Sequence, residues 1–555
     1  MPEYLSPGVY VEEVDRGPKP IEGVGTAMAA FVGFTEKAEI VRDNGDGPYV
    51  EDLLNKPQLI TNWTQFVDKF GGFVPGLKLP HAVYGYFSNG GTRCYVCSVR
   101  TFPKASTTLL NAAGKPALRA EAAEAGFDAM QIRLRVAGVK GIAAPAPAST
   151  PVKAATGKKD DKADDSAAAP EAPAPTTGNG TFDFFVEKKA PNGGWTVLES
   201  FEGAKLENVG SKVTVAWPKN KTPKFVNVEA LETSITACTP REQEQMLIID
   251  QNLLAAPKAA DFNGDVAART GVDGLEVLDD VTMVVVPDLM TTMPGEKLDL
   301  EMVKSVQTQV IAHCERCGDR VAILDTPPNM TPQEVKVWRM ETTGFDSSYA
   351  AMYYPWIKVS DPATDKVISV PPSGYVAGVW ARNDTTRGVH KAPANEIVNL
   401  AVGLDYQTTK GEQDTLNPNG INCIRAFPGR GIRIWGARTL SSDPAWRYIN
   451  VRRLFNYVEK SIENGTQWVV FEPNDRALWS RVNRDISAFL RGVWRDGALF
   501  GNTPAEAFYV KVDDELNPPE SRDLGRLIIE IGMCPVKPAE FVIFRISQWA
   551  GPNAE

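Results

Sequence analysis

The amino-acid sequence reads as a multidomain chain of mixed α/β and α+β class with a small inserted β domain. Three stretches carry that reading. Residues 236–360 alternate continuous apolar runs with helical periods, residues 105–235 hold short strands of period 2, and residues 371–549 alternate β-like and helical segments between turn residues. A length of 555 residues accommodates several domains and a large core.

The chain opens with an extended arm, residues 1–20, where Val9 and Val11 mark one short strand among Pro2, Pro7, Pro18 and Pro20. Residues 21–104 follow as a first core segment. Its run IEGVGTAMAAFVGFTEKA (21–38) reads as a buried strand. A helix within 57–73 starts at Asn62 or Thr64 and stops at Gly71-Gly72, and 81–100 reads as helix, Asn-Gly-Gly turn and strand. Residues 105–235 form the small β domain, with strands at 127–138, 182–189, 195–201 and 211–217. Between them, 143–180 is dominated by Ala, Pro, Lys and Asp. That composition buries too little apolar surface to offset ordering entropy, so a disordered surface loop is expected.

Residues 236–369 carry the α/β pattern. TMVVVPD (282–288) and RVAILDTP (320–327) are continuous apolar runs, as parallel strands covered on both faces require. The helix 300–314 connects them, Thr331-Pro332 starts a second helix, and SSYAAMYYPWIKV (347–359) is a third strand. In residues 370–534, Leu478, Val482, Ile486, Phe489, Leu490 and Val493 form the inward stripe of an amphipathic helix, with Arg481, Arg484, Arg491 and Arg495 outward. Arg452, Arg453 and Lys460 are expected to decorate the helix 450–464 in the same way. Such charges usually form a solvated face; two basic helices on an acidic chain also suit an acidic protein partner.

The last segment, 535–555, holds the sharpest strand. Val542, Phe544 and Ile546 share one face behind Pro535 and Pro538, and burying them would contribute about 1.5–3 kcal/mol each. A strong strand on a prolinated tether suits strand addition to another subunit's sheet. The alternative is an ordinary terminal strand docked within its own chain.

Composition narrows the function. Hydrophobic content of 43% and charged content of 23% fit a globular chain, and 59 Lys+Arg against 69 Asp+Glu give a net charge of −10. That balance offers no general footprint for nucleic acid or an anionic membrane. No apolar run approaches the roughly 18 residues of a membrane span, and the N-terminus lacks a signal-peptide pattern, so synthesis in the cytosol is expected. The seven cysteines are scattered. Cys94 and Cys97 sit on a strand pattern that points them to opposite faces, and Cys314 and Cys317 lie at a helix end, so buried thiols are expected over zinc.

An α/β pattern invites an enzyme. Yet the sequence has no GxxxxGK[ST], no GxGxxG after a strand and no GxSxG elbow, and of its three histidines, His81, His313 and His390, none has a ligand at metal spacing apart from His313 beside Cys314. Asp288 and Asp325 end apolar strands, as a metal-binding aspartate might, but without a phosphate-binding loop turn residues at strand ends are much the stronger reading. Catalytic, cofactor-binding and metal sites are therefore all expected to be absent.

Longer motifs carry a resemblance. PGVYVEEVDRGPKPIEGVGTAMAAFVG (7–33), VPPSGYVAGVWARNDTTRGVHKAPAN (370–395), GRGIRIWGARTL, RRLFNYVEKSIENGTQWVVFEPND, LFGNTPAEAFYVKVD and KPAEFVIFRISQW follow one another as in the contractile tail sheath proteins of bacteriophages and phage-like injection systems, which the chain resembles across 21–100 and 240–549. The resemblance implies an inner α+β domain built from both chain ends, a subtilisin-like doubly wound middle domain without protease function, and a variable outer insertion at 105–235. The protease's GTSMA motif is indeed missing from 236–370.

The resemblance also implies a mechanical role. Subunits would stack as hexameric rings wound around an inner tube and contract to drive the tube through a target envelope. Val9, Val11, Val542, Phe544 and Ile546 would be the strands of the inter-subunit arms. Arg452, Arg453, Lys460, Arg484 and Arg491 would face the tube. Baseplate and tail terminator or cap proteins would be further partners, with assembly in the bacterial cytoplasm as part of a phage tail or a phage-like particle. The competing reading is a cytosolic α/β enzyme of unknown chemistry; a tail-tube protein would be far shorter.

Overall fold

The computed structural model describes residues 21–545, apart from 44–46, 103, 124, 126, 141–179, 191–192, 211, 250–256 and 293–295. Val9, Val11 and Ile546, and the Ala/Pro-rich stretch except Gly180, lie outside the described residues.

The centre is an eight-stranded sheet. In spatial order its strands are Gly431–Ile434, Ile421–Phe427, Ala350–Tyr354, Val321–Asp325, Met283–Val285, Ala29–Thr35, Cys94–Thr101 and Gln58–Ile60. The six inner strands run parallel and both edge strands antiparallel. Alternation along each strand sorts side chains onto two faces. Ala30, Val32, Phe34, Val284, Leu324 and Met352 pack on one, against Val303, Val306 and Val310 of the helix Leu300–Cys317. Ala29, Phe31, Val285, Ile323 and Tyr353 pack on the other, under the helices Leu79–Ser88 and Ser373–Arg387. Cys94 and Cys97 fall on opposite faces, as their strand spacing requires.

Local signals place the helix ends. Asn62 caps Trp63–Phe70 through the Gln65 amide, Thr331 and Glu334 form a reciprocal capping box on Pro332–Val337, and left-handed Gly318 closes Leu300–Cys317. The helices Leu79–Ser88 and Ser373–Arg387 touch through small residues. A Cβ on Gly374 would lie 2.5 Å from Ala82, and one on Gly378 would lie 2.5 Å from the Tyr86 carbonyl oxygen. PPSGYVAGVW is thus a helix whose glycines set the contact with its neighbour.

The sheet crosses the expected domain boundaries. Residues 29–101 and 421–434 belong to the same sheet as 283–354, because Ala29–Thr35 pairs in parallel with both Met283–Val285 and Cys94–Thr101. Only the start of the described chain joins the C-terminal layer, where Ile21 is buried with Leu454, Leu478 and Leu490. An inner domain made of 21–104 and 370–534 is therefore corrected: most of 21–104 completes the α/β sheet, whose apolar edges would otherwise be exposed.

The β region builds a five-stranded and a three-stranded antiparallel sheet around one core that includes Leu134, Phe184, Leu206 and Leu118. It extends past residue 235, since Gln243–Met246 pairs with Ile132–Lys140 and Ile248 bridges Ser106. The C-terminal layer consists of the helices Ile449–Gly465 and Arg476–Arg495 and the hairpin Phe508–Lys511/Glu530–Met533, with a core of Leu454, Val458, Val482, Ile486 and Leu490.

Candidate assembly interface

The groups that an enzyme would use have structural employment. Asp288 is fully buried and accepts hydrogen bonds from the backbone amides of Phe34 (2.7 Å), Lys78 (2.6 Å) and Leu79 (3.1 Å) and from the Thr291 hydroxyl (2.7 Å). It ties a strand end to the start of the helix Leu79–Ser88. Asp325 accepts from the Ser373 amide (2.9 Å) and hydroxyl (2.5 Å), fastening the start of Ser373–Arg387. Burial pushes the Asp325 carboxyl up to about 7 against those two bonds. His81 and His313 are buried, and desolvation lowers each to about 4, so both are neutral side chains of the interior. Among the described residues, no three His, Cys, Asp or Glu side chains form a metal-binding group.

A cleft of about 560 Å³ opens between the sheet and the helix Ile449–Gly465, lined by Val24, Arg93, Asp280, Asp384, Arg453 and Lys460. Its main charges are paired across the two layers. Arg453 forms two bonds to Asp384 (2.9 and 2.5 Å), donates to the Thr26 carbonyl (2.9 Å) and lies over the Trp380 ring. Lys460 reaches Asp319 at 3.6 Å and Asp279 at 3.8 Å. Val24 donates its amide to the Ser461 hydroxyl. The helix is bolted to the α/β unit along this seam.

These contacts correct the expected basic face. Arg452 and Arg453 are only 5% and 4% exposed. Arg452 sits over the rings of Trp446 and Tyr349 and bonds Asn456 and Glu459, so its guanidinium packs inside the protein. Lys460 is largely covered and engaged with three carboxylates. Helical periodicity cannot distinguish a polar face turned to water from one turned to a charged neighbour, which is why the three were misplaced. Arg484 and Arg491 do lie on the exposed side of Arg476–Arg495, as do Arg476, Arg481 and Arg495. Arg484 contacts only the adjacent Asp485 among the ion pairs of the described residues.

Two features nearby have open backbone or apolar surface. The hairpin Phe508–Lys511/Glu530–Met533 is a two-stranded sheet packed on Arg476–Arg495, and each strand has one edge without a strand partner among the described residues. Beyond it the chain runs through Pro535 and Pro538 to Phe541, Val542, Ile543 and Phe544, which are 71%, 69%, 78% and 83% exposed. No strand forms within 541–545, so the described residues show no docking of this segment on its own chain. Sequence reasoning missed Glu540. It accepts from Arg438, Asn417 and Tyr448 just before the apolar run; its only sequence signal was a lone acid in KPAEFVIF.

A doubly wound unit with hydrogen-bonded carboxylates near its strand ends, a basic helix, an open hairpin and an exposed apolar tail fits a structural protein that assembles through its surface. Two family models match end to end, the phage tail sheath protein central domain at 267–440 and the phage tail sheath C-terminal domain at 441–548, together just over half of the chain. The chain belongs to the contractile tail sheath protein family.

Among relatives, a prophage protein of Pseudomonas aeruginosa described as a major tail sheath protein is 30% identical over 41% of this chain and 58% of its own. The tail sheath protein of Salmonella phage ViI is 30% identical over 41% of this chain and 38% of its own. The matched segment thus spans less than two thirds of either relative. The same fold is found in the helical sheath of the anti-feeding prophage in its contracted state, with a TM-score of 0.54 at 24% identity over 98% of this chain and 99% of that one. The PVC sheath complex of an extracellular contractile injection system, also contracted, matches with a TM-score of 0.54 at 22% identity over 99% of both chains.

Proposed function

We propose that this protein is the subunit of a contractile sheath, polymerising as helically stacked hexameric rings around an inner tube and contracting to drive that tube through a target envelope. The observation that carries the reading is the exposed run Phe541–Phe544, in a chain whose hairpin Phe508–Lys511/Glu530–Met533 keeps open edges among the described residues. Four consecutive solvent-exposed apolar residues are a liability unless a partner covers them. A backbone run and an unpaired strand edge complement each other by strand addition. Donor and acceptor are different surfaces of one chain, so the contact is head-to-tail and propagates into rings or helices. Val542, Phe544 and Ile546 are the proposed C-terminal arm strand, with Val9 and Val11 its N-terminal counterpart.

In this reading the exposed Arg484 and Arg491 meet an acidic surface of the inner tube, while Arg452, Arg453 and Lys460 hold the subunit rigid behind them. The α/β unit is a subtilisin-like scaffold without catalytic duty. Baseplate and terminator proteins close the two ends. The subunit is made and assembled in the bacterial cytoplasm as part of a phage tail or phage-like particle.

Negative-stain electron microscopy of the full-length protein, alone and co-expressed with a candidate inner-tube protein, tests the proposal. Hollow striated tubes or stacked rings are expected. Compact single particles under both conditions would defeat it.

A further inference from the structure

The path of the chain between the C-terminal layer and the exposed tail has a consequence for how force would travel through the molecule. Up to Val536 the tail is held by the C-terminal layer. Cys534 and Phe500 are joined by a backbone bond of 2.8 Å, the Val536 amide donates to Ala498 (3.1 Å), and Asn450 donates to the Val536 carbonyl (3.1 Å). Four residues later the chain is gripped from another layer. Glu540 accepts from Arg438 Nε (2.9 Å) and Nη2 (2.7 Å), from Asn417 Nδ2 (2.5 Å) and from the Tyr448 hydroxyl (3.0 Å). The two side chains are well covered, at 10% exposure for Arg438 and 18% for Glu540.

Arg438 is in turn fixed to the central sheet. Its amide donates to Asn422 Oδ1 (2.7 Å), and Asn422 Nδ2 donates to the Arg438 carbonyl (2.8 Å). Asn422 is fully buried in Ile421–Phe427 and donates also to Met352 of the neighbouring parallel strand (3.2 Å). A continuous set of hydrogen bonds therefore runs from Glu540 to two strands of the eight-stranded sheet. Immediately after Glu540 the chain enters its exposed apolar run.

We infer that Glu540 is the anchor through which tension on the C-terminal arm passes into the central sheet, the far end of the arm being held by a second copy of this chain. The inference rests on the sheath reading above and deepens it. A forked arginine–carboxylate pair is both strong and directional, and it resists peeling better than the loose prolinated link before it. Without the anchor, a pull on residues 541–545 would fall on Val536 and the marginal two-stranded hairpin beside it. With it, the hairpin is left to receive a neighbour's strand while the subunit's own arm is loaded elsewhere. Burial alone would raise the Glu540 carboxyl, but the bonds from Arg438 and Asn417 outweigh it and hold the group below the usual carboxylate range, so the anchor stays ionised at neutral pH.

The test uses the full-length chain with Glu540→Gln, which keeps the shape but turns donors toward donors, and Arg438→Lys, which removes the fork. The first readout is chymotryptic cleavage after Phe541 in the unassembled protein, which requires Ala539 and Glu540 to lift off. The second is the urea concentration at which assembled sheath dissociates. Both variants should be cut about tenfold faster or more, and their polymers should dissociate at lower urea. Unchanged values for both overturn the anchor even where the arm is established. Faster cleavage with unchanged polymer resistance also overturns it, because the contact would then carry no tension. A chain lacking 541–555 separates the two readings: if it still forms ordered sheath, the arm proposal itself falls.

Discussion

Arg453 and Asp384 form an ion pair with both side chains only 3% exposed, and it joins the C-terminal helix Ile449–Gly465 to the helix Ser373–Arg387 of the α/β unit. The guanidinium is also stacked over Trp380 and bonded to the Thr26 carbonyl, so three parts of the chain converge on one side chain. In the proposed contractile sheath, such a joint would let the two layers move as one body.

Removing one partner of this pair leaves the other charge buried and alone, which costs about 3–5 kcal/mol. Arg453→Ala and Asp384→Asn should each lower the urea unfolding midpoint accordingly. The double replacement Arg453→Met with Asp384→Leu should recover most of the loss. Single variants as stable as the parent would show that the pair does not join the layers.

The close approach of Ser373–Arg387 and Leu79–Ser88 makes a second prediction. Gly378→Ala places a Cβ against backbone and the Asn89 side chain, which cannot yield easily. A destabilisation of about 1–3 kcal/mol is expected, measured by thermal or urea unfolding. Ala at Gly411, which has open space around it, is the control and should change little.

Asp325 gives a pH signature. Its folded-state carboxyl is raised to about 7 by burial, so its contribution to stability is full below the ordinary carboxylate range and is lost as pH rises through about 7. Between pH 5 and 8 this group should remove roughly 3 kcal/mol. Unfolding of Asp325→Asn should lack that decline while keeping any slope from other groups. Parallel profiles for parent and variant would contradict the assignment.

Assembly should separate from folding at the exposed sites. Val542→Asp with Phe544→Asp alters residues already in water, so the monomer should unfold within about 0.5 kcal/mol of the parent. Ordered polymer should nevertheless be lost in electron micrographs. Arg484→Glu with Arg491→Glu should also leave the monomer stable, while recovery of tube with sheath falls and becomes less salt-sensitive. Retained polymer in the first variant, or retained tube capture in the second, would refute the corresponding surface.

Much of the local structure was legible in the sequence. The strands Met283–Val285, Val321–Asp325 and Ala350–Tyr354 stood out as continuous apolar runs, the cap at Thr331 was visible as a residue type, and Asn62 was one of two candidates for the start of its helix. These are near-neighbour effects, set by strand and helix period and by the few backbone groups each cap satisfies. The order of family motifs was equally visible, and with it the proposed mechanical role.

Tertiary structure alone decided where those elements went. Ala29–Thr35 reads as a buried strand in any context, but only the fold seats it between Met283–Val285 and Cys94–Thr101. Arg484 and Arg453 occupy similar positions on amphipathic helices; one faces water and the other meets Asp384 and Thr26. Glu540 was an unremarked acid until Arg438, Asn417 and Tyr448 closed around it. The reason is physical: periodicity encodes which side chains share a face, whereas the cost of burying a charge depends on partners that distant parts of the chain bring to it.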